Sequence, residues 1–562
     1  VRLLSPAELL ARLHGPWLLS MDGLRDVSPR QKTLRSAIGW SYSLLTPAEQ
    51  TLFTRLAVFV GGCTLAAAEL LCGDDAALSP SLPFSLSPPQ VLDGIASLLD
   101  KSLLHREISL HGEPRYVMLE TVREFGLERV AAGGHESALR ARHMRCILQL
   151  INYVEQTGPD PFGVQLRRLI DDEIHNVRAA LAWAMEHDVQ AALLFTAALV
   201  RWLYGRGPHV EGRLLVTRIL ALPGAAARTL PRARALYEAG FLMLANEEND
   251  KAQAYEEESL VLSQELGYRK GEADALLGLG RIAQIAEYDL DAAQHYFETA
   301  LVIYRALSDP GGIAFVTALM AQLATDQSDI PQARALAEES LAVAQQAGFP
   351  NPWAVMVLGF IGYYVDGDLD EARSLLEQSL AHMDSKGFKA DMLAALGSIA
   401  TRQGDFAAAH VLLDEALVLR KEQGTEQQIF YLDWAQLSQA EGDLTQAVQL
   451  SRASLARLRV PPDGRTEFLL HLTALATALN QYELAAQLLG VTISVDEVDL
   501  LLWRLLGEDY RRLADAARAH LGADRFDTAW TQGRVSTFEA AVDEAISILE
   551  ATLAVRGQLA PT

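Results

Sequence analysis

Cysteines, metal-ligand motifs and long apolar runs are scarce or missing in this sequence of 562 residues. The 3 cysteines, Cys63, Cys72 and Cys146, lack metal-ligand spacing, so we expect buried, reduced thiols in a cytoplasmic protein. No apolar run reaches the roughly 18 residues of a membrane span, since the best one, which ends at Val200, is followed by Arg201. Neither a signal peptide nor an initiating methionine occurs, so we expect a piece of a longer protein.

Sequence motifs of enzymes are missing as well. No Gly-Lys pair occurs, so there is no phosphate-binding loop, and the pairs Gly61-Gly62 and Gly133-Gly134 indicate helix breaks. The 13 histidines show no metal-ligand spacing, and neither His-Glu-x-x-His nor Gly-x-Ser-x-Gly is found. We therefore predict a protein that is not an enzyme, with no catalytic residue, no metal site and no cofactor of its own.

Negative charge is abundant but unevenly distributed. Residues 1–145 hold 15 basic and 15 acidic residues, whereas the rest of the chain holds 33 basic and 57 acidic residues, which accounts for the net charge of −24. Such a surface repels phosphate backbones, so nucleic-acid binding by the C-terminal three-quarters is disfavoured. A basic or neutral partner suits it better.

One pattern recurs six times at intervals of 37 to 41 residues: an acidic residue, a small residue four positions later and a leucine twelve positions later. The acidic positions are Glu248, Asp289, Asp329, Asp368, Asp405 and Asp443, and the leucines are Leu260, Leu301, Leu341, Leu380, Leu417 and Leu455. Helical periodicity places the small residue and the leucine on one buried stripe. The pattern therefore predicts repeated helical hairpins.

Turn residues punctuate these hairpins. Glycine followed by aspartate, as in Gly367-Asp368, ends one helix in the left-handed conformation and caps the next with a side-chain acceptor. Seven residues beyond each of the first five leucines, a second set of positions is predicted to end the second helix, and these are Gly267, Ser308, Gly348, Gly387 and Gly424.

The segments "EGDLTQAVQLSRASL" and "DGDLDEARSLLEQSL" resemble tetratricopeptide repeats. In that family the first helix of each hairpin lines a concave groove. Carried over by register, the resemblance assigns ligand- or partner-binding groove positions to Phe315, Gln322, Tyr364, Asp391, Arg402, Gln436 and Gln439. The same register turns Tyr431 and Trp434 towards the hairpin interior, and we expect Trp353, Trp434 and Tyr363 to be core residues.

The N-terminal part shows a different pattern. Short helical segments up to residue 72, with Thr46-Pro47 as a helix start, are followed by the helix "VLDGIASLLDKSLL" and a β-hairpin with its turn at His111-Gly112. Helices followed by a hairpin wing predict a winged helix. The fold class is therefore mainly α, with an N-terminal winged helix followed by a tetratricopeptide-like right-handed α-solenoid.

Four regions follow from these patterns. We predict a winged-helix regulatory module with a helical lead-in at 1–145, a helical linker or atypical repeats at 146–245, tetratricopeptide-like repeats at 246–490, and helical repeats or a cap at 491–562. In the linker, Glu173, Asn176 and Arg178 interrupt an apolar helix face. They form either a satisfied polar network that fixes the junction between modules or a solvated surface.

From "TLRSAIGWSYSLLTPAEQTLFTRLAVFVGG" through "RYVMLETVREFGLERV", the sequence resembles the regulatory part of bacterial signal-transduction ATPases with numerous domains (STAND), large regulators often described as LuxR-like transcriptional activators. The resemblance implies a nucleotide-binding domain ahead of the winged helix and a sensor array behind it. That domain is lacking here, so ATP or ADP is expected only with the missing upstream domain. Related proteins sense ADP through a Met-His-Asp motif. The matching residues here are Met118, Leu119 and Glu120, and Leu119 has no side-chain donor for a phosphate.

Three functions remain open. The favoured one is a regulatory sensor whose repeats bind a protein, peptide or small inducer and whose winged helix couples this to the absent ATPase domain. The second is a constitutive protein-interaction scaffold. The third is a transcriptional regulator that binds DNA through the winged helix, although DNA binding needs a basic helix and wing. The relevant charges are mixed, since they comprise Asp93, Asp100, Lys101, Arg106, Glu107, Glu113 and Arg115.

Overall fold

The computed structural model describes residues 34–73, 85–156, 163–206, 209–246, 248–383, 386–423, 431–457, 462–494 and 500–557. These residues form two compact units. The first comprises the described residues up to Trp202 together with Leu214–Ala239, and the second comprises Leu203–Arg213 together with the described residues from Gly240 onward. The domain boundaries drawn from the sequence stay predictions. Across the described ranges, no helix is both long and apolar enough to cross a membrane.

The first unit is a small helical domain with a β-hairpin, continued by longer helices. Its elements are α1 (Leu34–Ser43), α2 (Pro47–Leu56), α3 (Leu65–Cys72), α4 (Pro88–Asp100), β1 (His105–Ile108), β2 (Pro114–Val117), α5 (Glu120–Ala132), α6 (Glu136–Gln156) and α7 (Val164–His187). The helices α8 (Val189–Arg206), α9 (His209–Leu220) and α10 (Leu230–Leu244) follow.

Local sequence signals set these boundaries. Thr46 caps α2 in a capping box, since its side chain accepts from the Glu49 amide while the Glu49 carboxylate accepts from the Thr46 amide. Strands β1 and β2 pair antiparallel from His105 opposite Val117 to Ile108 opposite Pro114. Gly112 adopts a φ of 91° in the turn between them. The predicted winged helix is thereby confirmed.

A continuous apolar core fills this unit. Phe53 and Phe125, both almost fully buried, pack edge-on at a centroid separation of 6.5 Å. Cys63, Cys72 and Cys146 are buried free thiols, as expected from the sequence.

The second unit consists mainly of antiparallel helical hairpins. Its elements are α11 (Asn249–Glu265), α12 (Arg269–Ile282), the π-turn π1 (Ala283–Glu287), α13 (Leu290–Leu307), α14 (Pro310–Asp326), α15 (Ile330–Ala347), α16 (Pro352–Ile361), the π-turn π2 (Gly362–Asp366), α17 (Leu369–His382), α18 (Lys386–Gln403), α19 (Phe406–Gln423), α20 (Tyr431–Glu441), α21 (Leu444–Arg457), α22 (Pro462–Ala478), α23 (Tyr482–Ser494), α24 (Leu500–Leu521), α25 (Ala523–Gly533) and α26 (Phe538–Val555).

The predicted turns explain why the hairpins repeat. Gly367, Gly404 and Gly442 all have positive φ, and the aspartate after each accepts a hydrogen bond from the amide three residues later. Each even-numbered helix from α12 to α22 packs against the next helix in the chain, as in tetratricopeptide repeats. The mainly α fold class, with a winged helix followed by a tetratricopeptide-like solenoid, is confirmed.

Two predicted turn positions differ from the prediction, and a third is not described by the structure. Gly387 does not end a second helix, because α17 already ends at His382 and Gly387 lies in the first turn of α18. Gly424 lies outside the described residues. Glu248 precedes α11 without a side-chain cap, because its carboxylate pairs with Arg213 and Lys251.

The last helices close one end of the repeats with a shared apolar core that extends from α21 to α26. Helices α23 and α25 approach each other at the backbone. A Cβ atom on Gly490 would lie 2.1 Å from the Trp530 carbonyl oxygen, and one on Gly533 would lie 1.9 Å from that of Gln487. Only glycine therefore fits at this crossing.

Candidate ligand-binding site

A polar and aromatic face lies on the first helices of the hairpins between π2 and α22. The π-turn at the end of α16 places two successive tyrosines there. Tyr363 is 7% exposed, whereas Tyr364 keeps 37% of its surface accessible. The rings of Tyr363 and Tyr364 lie 4.5 Å apart, and Phe360 stacks on Tyr364 with its centroid at 6.1 Å. An exposed aromatic surface results.

Besides burial, the charges of two carboxylates from later hairpins help to raise the pKa values of these tyrosines. Asp433 on α20 accepts a hydrogen bond of 2.5 Å from the Ser398 hydroxyl of α18. Glu467 on α22 accepts one of 3.1 Å from the Gln436 amide of α20. Neither carboxylate forms a salt bridge with any described residue. We call Tyr363, Tyr364, Ser398, Arg402, Asp433, Gln436 and Glu467 the polar face.

The cations near the polar face have other contacts. The Arg402 guanidinium on α18 lies over the Tyr363 ring, 5.5 Å from its centroid. Arg420 on α19 pairs with Asp391, so the negative charge of Asp391 is already balanced. Among the residues whose side chains the structure describes, Arg402 is the cation whose charge acts on Glu467.

Burial and repulsion between like charges make ionisation costly here. Burial, together with the charges of Glu467 and Asp391, raises the pKa of Asp433 to about 7 despite the hydrogen bond from Ser398. Burial also raises the pKa of Glu467, and the pKa of Tyr364 lies well above its usual value because of burial and the nearby Glu467 charge. The Tyr364 side chain is nevertheless partly accessible to solvent.

The structure brings some of the predicted groove residues together and not others. Tyr364, Arg402 and Gln436 share the polar face, and the charge of Asp391 also acts on Asp433. Phe315 packs edge-on against the buried Trp353 at 5.7 Å. Gln322 lies on α14 and Gln439 on α20, and no side-chain hydrogen bond joins either one to the polar face within the described ranges. Their roles in binding stay predictions.

Asp433 and Glu467 were missed from the sequence. Asp433 precedes Gln436 by three residues, so helical spacing alone would have put both on one face. Glu467 has no comparable signal, because its position depends on how α22 is placed relative to α20.

Helix α24 borders the polar face. It packs against π2, which carries Tyr364, and against α22, which carries Glu467. The Tyr510 hydroxyl, near the middle of α24, donates to the Leu489 carbonyl oxygen of α23 at 3.5 Å. The ten residues of α24 that precede Tyr510 span about 15 Å.

The wing of the winged helix is anchored to α7 within the first unit. Arg115 on β2 forms a buried bidentate pair with Glu173, at 2.6 and 3.1 Å, and donates to the Gly62 carbonyl at 2.8 Å. The Asn176 amide donates to Glu173 and Gly62, and its oxygen accepts from the Val60 amide. Arg178 is exposed, so the predicted network comprises Glu173 and Asn176 only.

The tip of the wing also contacts α7. The Asp172 carboxylate accepts from the Ser109 hydroxyl at 3.0 Å and lies 3.1 Å from His111 Nδ1. At the C-terminal end of α4, Lys101 is paired with Glu49 at 2.8 Å. Among the basic residues considered for DNA contact, Arg115 and Lys101 are thus already paired.

The residues matching the nucleotide-sensing motif lie at the start of α5. Met118 is buried, and Leu119 is 61% exposed next to the first residue of the helix, Glu120. Glu120 pairs with Arg123 one turn later at 2.7 Å. The Leu119 side chain has no donor that could bind a phosphate. A role of this position in nucleotide sensing stays a prediction that its chemistry disfavours.

Comparison with known proteins identifies the N-terminal module. Residues 45–131 match the family described as winged helix-turn-helix domain. Proteins of Mycobacterium tuberculosis and Mycobacterium bovis that carry the provisional name HTH-type transcriptional regulator are 31% identical over 499 residues, which is 85% of this chain and 54% of each relative. The chain thus spans about half the length of these curated relatives.

Solved structures resemble parts of the chain at low identity. NprR in complex with its cognate peptide NprX matches 52% of this chain and 87% of its own, with 16% identity and a TM-score of 0.40. The STAND protein with a tetratricopeptide repeat sensor from Pyrococcus horikoshii matches 98% of this chain and 72% of its own, with 16% identity and a TM-score of 0.38. The fold assignment rests on the hairpins themselves. The chain contains a winged helix-turn-helix domain and is similar to bacterial proteins named as HTH-type transcriptional regulators.

Proposed function

We propose that this chain is a regulatory sensor whose repeats bind a protein, peptide or small inducer at the polar face. One observation carries the proposal: side chains link π2, α18, α20 and α22, because Arg402 lies over the Tyr363 ring, Ser398 donates to Asp433, and Gln436 donates to Glu467. Partly accessible aromatic and charged groups that several helices bring together are typical of recognition sites.

The winged helix has an intramolecular role in this proposal. It couples occupancy of the repeats to an ATPase domain outside this sequence, which would hold any ATP or ADP. The curated relatives leave room for such a domain, because the chain spans only 54% of their length. The anchored wing supports this role, since Arg115 of β2 pairs with Glu173 of α7 and the wing tip donates to Asp172 of the same helix.

Selection from a random peptide display library tests the binding proposal. Peptides enriched on the wild-type chain are expected to lose affinity at least tenfold for the Tyr364→Ala variant, because the exposed ring is removed. Val418→Ala serves as control, since Val418 is 52% exposed on the second helix α19. Enriched peptides that bind both variants and the wild type equally would contradict the proposed site.

A further inference from the structure

This inference rests on the proposed function and concerns the chemistry of the ligand. We infer that the polar face binds a guanidinium group, with its plane on Tyr364 and its N–H donors directed at Asp433 and Glu467. The group belongs either to an arginine side chain of a peptide or to a small guanidine compound. Both sources present the same planar cation.

Charge balance favours a cation. Asp433 and Glu467 contribute two carboxylates to the polar face, and Arg402 contributes one guanidinium, which already lies over Tyr363. Arg420 is engaged by Asp391 of α18. One negative charge therefore lacks a counter-charge among the described residues, and a bound monovalent cation would supply it.

Unused acceptor capacity favours a ligand with several donors. An ionised carboxylate has about four lone-pair sites. Asp433 receives a hydrogen bond from Ser398, and Glu467 receives one from Gln436. Among the described residues, Ser398 and Gln436 are the side-chain donors to these groups, so both carboxylates keep acceptor sites for a ligand. The two carboxylates belong to different helices, so a forked donor is able to join them.

The aromatic surface distinguishes a guanidinium from an ammonium ion. Tyr364 is 37% exposed and is supported from behind by Phe360 at 6.1 Å, so its ring presents a fixed flat surface. A planar, weakly hydrated guanidinium stacks on such a ring, whereas a compact, strongly hydrated ammonium gains less. Arg402 over Tyr363 shows the same stacking one residue away.

Titration calorimetry of the whole chain at pH 8 tests the inference with three probes. N-acetyl-arginine amide represents a peptide residue, agmatine represents a small guanidine compound, and N-acetyl-citrulline amide is the neutral isostere of the first. We expect at least one guanidine probe to bind at one site with Kd below about 10 mM and the citrulline probe to bind at least tenfold more weakly.

Matched variants assign the site. Asp433→Asn combined with Glu467→Gln is expected to weaken guanidine binding at least tenfold. Asp414→Asn combined with Glu415→Gln removes the same charges from exposed positions on α19 and is expected to leave binding unchanged. This control separates the polar face from general attraction by an acidic protein.

The inference is overturned if neither guanidine probe binds, if citrulline amide binds equally well, or if both double variants behave alike. Such a result leaves the sensor proposal intact when display-selected peptides still depend on Tyr364. Peptides that ignore Tyr364 would instead contradict the sensor proposal itself.

Discussion

At the residue scale, the Arg115–Glu173 pair fixes the wing. Both side chains are more than nine-tenths buried. Replacing Arg115 with Met leaves the Glu173 charge buried without its partner, so we expect the free energy of unfolding to fall by about 3–5 kcal/mol. Urea denaturation monitored by circular dichroism measures this loss.

Arg106→Met on the neighbouring strand is the control, because Arg106 is exposed. It is expected to change stability by less than about 0.5 kcal/mol. Equal stability of both variants would show that the wing is not held by this pair.

Asp433 gives a prediction with a definite pH dependence. Because its folded pKa is about 7 and its unfolded pKa is near 4, the folded protein retains a proton that the unfolded chain has lost. Ionisation therefore destabilises the folded state as pH rises from about 4 to 7, and the full penalty applies above pH 7. Asp433→Asn should stabilise the protein by on the order of 1–3 kcal/mol at pH 8 and by much less at pH 4.5.

Urea midpoints of both proteins at the two pH values provide the measurement. Asp414→Asn, on the exposed face of α19, should show no such difference between pH values. A wild type as stable as Asp433→Asn at pH 8 would mean that the carboxylate ionises without penalty, contrary to the account of the polar face.

A periodic rule made predictions about single residues possible. Tyr364, Arg402 and Gln436 were predicted on one face because the repeat fixes which side of a first helix is inward. The role of Glu173 and Asn176 stayed open, because their partners Arg115 and Gly62 come from a distant part of the chain. No local pattern reports such a pairing.

At the scale of elements, caps were predictable and π-turns were not. Glycine ends the helix that precedes it and aspartate caps the helix that follows it, so Gly404-Asp405 and Gly442-Asp443 could be predicted from neighbouring residues in the sequence. A π-turn such as Gly362–Asp366 depends instead on how a helix end packs against its neighbours. Register alone assigned Tyr363 to the core and Tyr364 to the groove, but the π-turn that carries both tyrosines was not predictable from the sequence.

The crossing of α23 and α25 offers a test in which helix propensity and packing predict opposite signs. Alanine normally stabilises a helix relative to glycine by up to about 1 kcal/mol. At Gly533, however, the new Cβ would lie 1.9 Å from the Gln487 carbonyl oxygen, so the helices must separate. We expect Gly533→Ala to lower the melting temperature by several degrees in a thermal scan.

Ser536→Ala, an exposed substitution three residues later, is the matched control and should leave the melting temperature nearly unchanged. A more stable Gly533→Ala variant would mean that propensity dominates and that the helices do not approach as closely as described.

At the scale of the whole molecule, the charge distribution and the anchored wing both bear on DNA binding. The acidic residues after position 145 outnumber the basic ones by 57 to 33. We expect no binding of a mixed-sequence DNA duplex at low salt with about 10 µM protein, because a protein without a basic surface gains little from counterion release. Fluorescence polarisation of labelled duplex provides the readout.

DNA binding with a steep salt dependence, abolished by Arg106→Ala, would contradict this expectation and restore the winged helix as a DNA reader. Arg106 is the informative position because it is exposed on the wing.

The architecture was predictable from the sequence because six similar segments must fold alike and stack on one another. The polar face was only partly predictable, since its tyrosines and its carboxylates come from three different hairpins. Small rotations between hairpins accumulate over that distance, and single-sequence patterns do not encode them.

Hydrogen exchange of the chain with and without its tightest display-selected peptide tests the central claim most directly. The account predicts slower exchange in π2, α20 and α22, which carry Tyr364, Asp433 and Glu467. Protection confined to second helices such as α19 and α21, with these first helices unchanged, would contradict it.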